Sequence, residues 1–293
     1  VVGVGGAQAL AKSGVDVAGL DVVLAGSGPL LLPVAALLAG RGAYVRLIAE
    51  QASRGRVARF GAGLWRHPAK IPEAIRYRWR TLRAPYRMGV WVAAARGEGR
   101  LREVDLTDGR RTWTERCDLL GCSYGLVPNV ELATILGCRV GTAGVEVDRH
   151  QQTSREGVFC IGEASGIGGV EKSLIEARVV AAYLAGDDTT LRELATHRAR
   201  LQRFTGVLAR TFEPRPELRE RLRPETVVCR CEDVRWGDLD PDWTHRQAKL
   251  YTRLGMGPCQ ARVCGAAVHT LCGWSPDSVR PPLKPCRLSS LIE

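Results

Sequence analysis

Val22-Val23-Leu24-Ala25-Gly26-Ser27-Gly28 and, further along, Tyr44-Val45-Arg46-Leu47-Ile48 are the stretches on which the fold depends. Four apolar residues ending in Gly-x-Gly read as a buried strand running into a tight turn. A helix is expected from about Pro29 to Ala39. Pro29 suits a first helical turn, whereas Pro33 should kink the helix or delay its start. Tyr44 to Ile48 is a second strand, ending near Glu50, so the opening is a βαβ unit. Gly26-x-Gly28-x-x-Leu31 keeps two of the three glycines that a dinucleotide turn uses: one for the bend, one for close approach of a pyrophosphate. Leu31 in the third place loosens strand–helix packing. Glu50, 24 residues after Gly26, stands where an acid would meet a ribose. The site therefore reads as one for NAD(P) or another adenine nucleotide, or as the same geometry kept for structure alone.

Outward from that unit, residues 65–84 look helical and basic. Gly89 to Thr114 changes to short strands, with turns at Ala95-Arg96-Gly97-Glu98-Gly99 and Thr107-Asp108-Gly109, the pattern of a β-meander. Cys117 to Ser123 is another apolar strand. Gly157 to Ile161 reads as a short strand entering a second glycine-rich turn, Gly162-Glu163 with Gly166, Gly168 and Gly169, before a helix from about Val170 to Leu184. Backbone N–H groups at such a helix start can hold anionic or hydroxyl groups of a cofactor. An ordinary βα loop fits the residues equally well. Gly186-Asp187-Asp188 marks a boundary, and 189–213 reads as a charged linker helix broken by Pro214 and Pro216. A small cysteine-bearing domain follows from about Pro224 to Leu271, and Pro281-Pro282-Leu283-Lys284-Pro285 should be extended.

The chain has 293 residues, 45% hydrophobic and 25% charged. That composition excludes a disordered chain, a collagen and a coiled coil, and suggests about two domains. The most apolar run, Val22 to Ala39, is interrupted by Gly26, Ser27, Gly28, Pro29 and Pro33, so no membrane span is expected. There is no charged-then-apolar opening of a signal peptide, and the expected place is the cytoplasm, free or at the membrane periphery. Val1 fits a GUG start read literally, a fragment or a processed subunit. The net charge of +11 comes mainly from 37 arginines. Without the aromatic–basic motifs of a nucleic-acid module, this reads as solvated surface and not as a nucleic-acid site, with docking to an acidic partner left open.

Ten cysteines are too few for a small disulfide scaffold. Cys117, Cys122, Cys138 and Cys160 sit among apolar residues and read as buried thiols. Cys229-Arg230-Cys231 and Cys259-x4-Cys264, the second pair preceded by Gly255-Met256-Gly257-Pro258, form a set of four. Four thiolates in two close pairs can ligate a two-iron cluster, with the glycines letting N–H groups point at sulfur. Zinc fits Cys-x4-Cys but fits Cys-x-Cys poorly, and four free thiols are the remaining reading. Cys272 and Cys286 fall outside the pattern. His67, His150, His197, His245 and His269 have no metal or catalytic spacing. There is no Cys-x-x-Cys, which argues against a disulfide reductase, and no nucleophile elbow or Ser/His/Asp order.

Val227-Val228-Cys229-Arg230-Cys231-Glu232-Asp233-Val234, with Lys249 to Gln260 and Arg262-Val263-Cys264-Gly265, resembles the [2Fe–2S] domain related to bacterioferritin-associated ferredoxin. That domain is fused to flavoprotein subunits of opine oxidases, of hydroxyproline and proline dehydrogenases, and of hydrogen cyanide synthase. Tyr124 to Asn129 with Glu131-Leu132, then Gln152-Thr153-Ser154 and Gly157 to Glu163, resemble the carboxyl-terminal part of that family's FAD domain. Val279 to Pro285 resembles its tail. The family opens with a Gly-x-Gly-x-x-Gly unit that holds the FAD pyrophosphate. Residues 1–14 resemble a stretch lying after that unit, and the family's usual Asp is Glu163 here.

The resemblance implies an α/β fold of Rossmann-like FAD/NAD(P)-binding domains, shortened at the amino end, with a small helical [2Fe–2S] domain. Residues 1–19 and 115–186 would be a partial FAD-type domain and 20–114 an inserted NAD(P)-type domain. Residues 187–222 would be a helical linker, and 223–293 the cluster domain and tail. Gly26, Gly28, Leu31, Glu50, Gly162, Glu163, Gly168 and Gly169 are the cofactor-binding candidates; Cys229, Cys231, Cys259 and Cys264 are the cluster ligands. No general base is assigned. The implied function is that of a redox subunit in a heteromeric flavin-dependent dehydrogenase or oxidase. It would act on an amine, amino acid or opine, with two partners, an electron acceptor and a second flavoprotein subunit. A stand-alone NAD(P)H-dependent flavin or Fe–S reductase and a zinc-stabilised binding module without enzymatic activity are the alternatives.

Overall fold

The strand–turn–helix–strand opening forms as the sequence predicts. In the computed structural model β1 (Val2–Gly3) leads into α1 (Val4–Lys12), followed by β2 (Asp21–Gly26), α2 (Leu31–Ala39) and β3 (Tyr44–Glu50). α2 starts at Leu31, so Pro33 falls in its first turn, where a missing N–H costs nothing, and the proline delays the helix instead of kinking it. The basic segment divides into α3 (Arg54–Gly63), a short 3-10 turn and α4 (Lys70–Arg80). Then come β4 (Tyr86–Met88), the meander β5 (Trp91–Arg96), β6 (Glu103–Thr107) and β7 (Thr112–Arg116), and β8 (Leu119–Ser123). The structure describes residues 1–68, 70–274, 279, 281, 283 and 286–291. Much of the expected extended tail at 281–285 lies outside these.

The described residues fall into two compact units, Val1–Leu126 with Arg203–Pro216, and Val127–Gln202 with Glu217–Glu293. In the first, β1-β8-β2-β3-β4 is a parallel five-stranded sheet and β5-β6-β7 an antiparallel one. β2 is buried along its whole length and alternates cleanly. Val22 and Leu24 pack with Val4, Ala7, Leu31 and Leu38 of the two helices. Val23 and Ala25 pack with Val104, Leu106 and Leu120 on the meander side. A strand covered on both faces must be apolar at every position, and each large side chain so buried contributes roughly 1.5–3 kcal/mol.

The second unit holds α5 (Glu131–Ile135), the small hairpin β9 (Val140–Gly141) and β10 (Gly144–Val145), and α6 (Gly169–Leu184). α7 (Asp188–Thr211) contributes residues to both units. Ile175 and Val179 of α6 meet Leu194 and Leu201 of α7 in a local core. The strand predicted at Gly157–Ile161 does not form. Gly157 and Gly162 at its ends have positive φ (72° and 76°), and Phe159 makes only an isolated bridge to Gln152. The cysteine-bearing segment follows: β11 (Val227–Cys229) paired with β12 (Val234–Arg235), then α8 (His245–Thr252) and α9 (Cys264–Cys272). Cys117 and Cys138 are buried as expected; Cys122 and Cys160 are only half-buried.

Candidate functional site

The first glycine turn lies at the carboxyl ends of β2 and β3, where open parallel sheets receive ligands. Gly26 is required there by packing: its φ is +153° and a Cβ would lie 1.8 Å from the Ser123 carbonyl oxygen. Leu31 is fully buried in the helix-side core. Glu50, fully buried, turns back onto the bend. Its carboxylate accepts the Gly28 N–H at 2.8 Å and the Ala52 N–H at 2.8 Å. Burial pushes its pKa up to about 7 against the pull of those two N–H groups and the Tyr86 hydroxyl.

The turn is also covered by the chain that follows α7. Phe212 Cβ and Cγ lie 3.9 Å from where a Gly28 Cβ would be. Ser27 Oγ donates to the Phe212 carbonyl. The buried Gln51 amide donates to Ser27 Oγ (2.8 Å) and the Glu213 carbonyl (3.1 Å), and its oxygen accepts the Arg215 N–H (3.1 Å). Arg215 lies over the Trp91 ring at 4.7 Å, and Phe212 packs edge-on against Phe60 at 5.3 Å. In this arrangement the Gly28 N–H is met by Glu50 and Phe212 stands beside the bend, so a pyrophosphate there would compete with both. Gln51, Phe212 and Arg215 carry no motif that sequence reasoning could have found.

The second glycine turn is satisfied in the same manner. Glu163 Oε1 accepts the N–H groups of Gly169 (2.7 Å) and Gly168 (3.3 Å) at the start of α6. Behind it, Glu176 accepts the Gly162 N–H at 2.8 Å and pairs with Lys172 at 2.7 Å, and Lys172 Nζ also donates to the Gly162 carbonyl and Ser165 Oγ, each at 3.1 Å. Lys172 and Glu176 are both buried. Their i,i+4 spacing on a predicted helix was the only signal for them. Nearby in sequence, Gln151 is fully buried with both amide atoms unpartnered among the described residues.

The four cysteines come together. The Cys231 thiol meets Cys259, and the Cys264 thiol meets Cys229. Cys229 and Cys264 are buried in a small core with Val234, Leu254, Val268 and Trp274; Cys231 is exposed. Gly257 permits the approach of the two loops, since a Cβ on it would fall 2.2 Å from Cys231 Cβ. Arg253 Nε donates to Glu232 Oε2 at 2.6 Å and ties the first loop to the end of α8.

Around Cys259 the backbone is bent so that N–H groups converge on sulfur. Gln260 and Ala261 have φ of 50° and 64°, unusual for residues with a Cβ. Burial pushes the Cys259 thiol up, but the N–H groups of Val263, Ala261 and Arg262 and the Cys231 thiol outweigh it and hold it below the usual thiol range. Burial first, then Cys229, pushes Cys264 up to about 12. Among the described residues, no group of three or more His, Cys, Asp or Glu side chains is placed to hold a metal ion. The donor set is two thiol pairs with backbone donors at one of them, which is the ligand chemistry, all sulfur, that a two-iron cluster takes.

Residues 4–185 match the family model for pyridine nucleotide-disulphide oxidoreductases. The chain belongs to that family. As a pyridine nucleotide-disulphide oxidoreductase it has the α/β, Rossmann-like fold of FAD- and NAD-binding oxidoreductases. It is 28% identical to an opine oxidase subunit of Rhizobium meliloti (strain 1021), over 99% of this chain and 70% of that protein. It is 29% identical to hydrogen cyanide synthase subunit HcnB of Pseudomonas aeruginosa, over 89% of this chain and 62% of that protein. The chain thus spans between 62% and 70% of the length of these two relatives. The L-proline dehydrogenase of P. horikoshii superposes with a TM-score of 0.55 at 21% identity, over 76% of this chain and 48% of that one, and shares the fold. No helix among the described residues is long and apolar enough to cross a membrane.

Proposed function

We propose that this oxidoreductase chain is the redox subunit of a heteromeric flavin-dependent dehydrogenase or oxidase, acting in the cytoplasm on an amine, amino acid or opine. Its domains would be 1–19 with 115–186, 20–114, 187–222 and 223–293. The observation that carries the reading is the cysteine centre: two facing thiol pairs, with three backbone N–H groups on Cys259. The names of the relatives, subunits of an opine oxidase and of a hydrogen cyanide synthase, support the substrate class and membership of a larger enzyme.

A [2Fe–2S] cluster, when bound, takes up and passes on one electron at a time, which suits it to follow a flavin that collects two. Cys229, Cys231, Cys259 and Cys264 would hold it. The apolar side chains around Cys229 and Cys264 keep water from those two sulfurs, whereas Cys231 is exposed. That Glu50 takes the Gly28 N–H and Glu163 the N–H groups of Gly168 and Gly169 supports oxidation of the substrate C–N bond at a flavin of a partner subunit.

The test is iron, zinc and labile sulfide per chain, with the visible spectrum before and after dithionite, on protein purified without oxygen. Two irons and two sulfides with a bleachable brown chromophore, lost in Cys259→Ser, are expected. Zinc alone, colourless, would overturn the reading in favour of a binding module. Reduction of bound flavin by NADH would instead favour a stand-alone reductase.

A further inference from the structure

α4 half-buries one face and leaves the other bare. Ile71, Ala74 and Tyr77 are half-buried, and the Arg78 guanidinium turns back to donate to the Thr81 carbonyl at 2.9 Å. On the outer face Ile75, Trp79 and Leu82 are 61%, 73% and 57% exposed. They follow one another at steps of four and three residues, and the winding continues beyond Arg80 through Leu82 N–H to the Trp79 carbonyl at 3.3 Å. They therefore form one row along the helix. One position on, Arg76, Arg80 and Arg83 repeat the same steps as a second row, all exposed. Trp65, on the turn before α4, is 69% exposed.

Residues 54–83 hold nine arginines and lysines against one acid, Glu73, which is within 3.9 Å of Lys70. Among the described residues, none of Arg76, Arg80 and Arg83 pairs with a carboxylate.

We propose that this face docks on an anionic lipid bilayer. An apolar row beside an arginine row is the amphipathic pattern that lies in a membrane interface: the apolar side chains reach the acyl boundary and the cations meet phosphates. Tryptophan is suited to the headgroup level, because its ring is apolar and its N–H is polar. Guanidinium forks match phosphate oxygens in pairs. The excess of cations with no acid alongside complements an anionic leaflet. The face is also a convex helix surface, which a fluid bilayer can accept without a matching groove.

The experiment is sedimentation of the full chain with vesicles of phosphatidylcholine, alone or mixed with phosphatidylglycerol. Binding to the mixed vesicles only, weakened by salt, is expected. The triple variant Arg76→Gln, Arg80→Gln, Arg83→Gln should bind about 100-fold more weakly, at about 1 kcal/mol or fivefold per arginine. Trp79→Ser should lose binding as well, with unchanged circular dichroism and melting temperature. In the wild type, brominated lipid should quench tryptophan fluorescence, and Trp79→Phe should remove most of that quenching. Absence of binding to the mixed vesicles, or binding that survives these substitutions, would overturn the proposal. So would loss of a co-purifying protein subunit in the variants when the wild type binds no vesicle. The assay needs no cofactor, so its failure leaves the redox reading untouched.

Discussion

The bend at Gly26–Gly28 and the loop from Gly255 to Cys264 both use glycine to aim backbone N–H groups at a small volume. They differ in what those groups meet. At the first, the Gly28 N–H is taken by Glu50 and the space above it by Phe212. At the second, the N–H groups of Val263, Ala261 and Arg262 meet the Cys259 sulfur, beside three other thiols. One bend has its N–H met by the protein's own carboxylate, whereas at the other the N–H groups converge on a thiol sulfur. A glycine motif shows that the backbone can approach something; the neighbouring side chains decide whether that is a ligand.

Glycine substitutions separate the two most sharply. In Gly26→Ala the new methyl would lie 1.8 Å from the Ser123 carbonyl oxygen, at a φ that side chains avoid. The expected loss is about 4 kcal/mol or more, read as a large fall in the urea midpoint, with or without iron. In Gly257→Ala the methyl meets Cys231 Cβ at 2.2 Å. There the iron and sulfide content should fall first, while the parallel sheet keeps its far-UV signal and melting transition. Full iron in Gly257→Ala together with an unchanged midpoint in Gly26→Ala would invert the comparison.

The parallel sheet was legible in the sequence because β2 is a nearly continuous apolar run ending in a glycine bend before a helix, and burial on both faces demands that pattern; β3 is buried only over its second half, from Leu47. The four cysteines were legible because they are paired locally and shaped by glycines close by. The fate of the first glycine turn was not. Phe212 is 185 residues from Ser27, and nothing local says that it returns to cover it. Glu50 was legible as an acid at a strand end, but its partner depends on whether a ligand or the chain takes the Gly28 N–H. Gly157 to Ile161 read as a strand from its own residues, yet a strand exists only with a partner, and Phe159 finds a single bridge. Trp79 would ordinarily be read as core, and only the orientation of α4 shows that it faces out.

Glu50 offers a pH handle on the first bend alone. Its folded pKa is near 7 against an ordinary 4.5, because burial disfavours the charged form. The folded state therefore binds more protons than the unfolded state between those values. Its contribution to stability is fully present below about pH 4.5 and is lost as pH rises through about 7. The span is about 3 kcal/mol. Glu50→Gln should flatten this part of the stability–pH curve, with melting temperature as the readout, and leave the cysteine centre's spectrum unchanged. A curve of the same slope in the variant would mean that Glu50 is not the titrating group.

The smallest effect on stability, and the most direct test of the covered crevice, belongs to Phe212. It is half-buried, with Phe60 at 5.3 Å and the Gly28 position at 3.9 Å as neighbours. Truncation to alanine removes part of a large apolar contact and should cost about 1–2 kcal/mol, less than for a fully buried ring. It also uncovers the bend. Wild-type protein should show no saturable change on titration with NADH or ATP, because a nucleotide there must displace Phe212 and compete with Glu50 for the Gly28 N–H. Phe212→Ala removes the first obstacle, and Phe212→Ala with Glu50→Gln weakens the second, so binding should appear in that order. Tight NADH binding by the wild type would mean that the covering segment yields easily, and the two glycine-shaped sites would then differ in occupancy and not in kind.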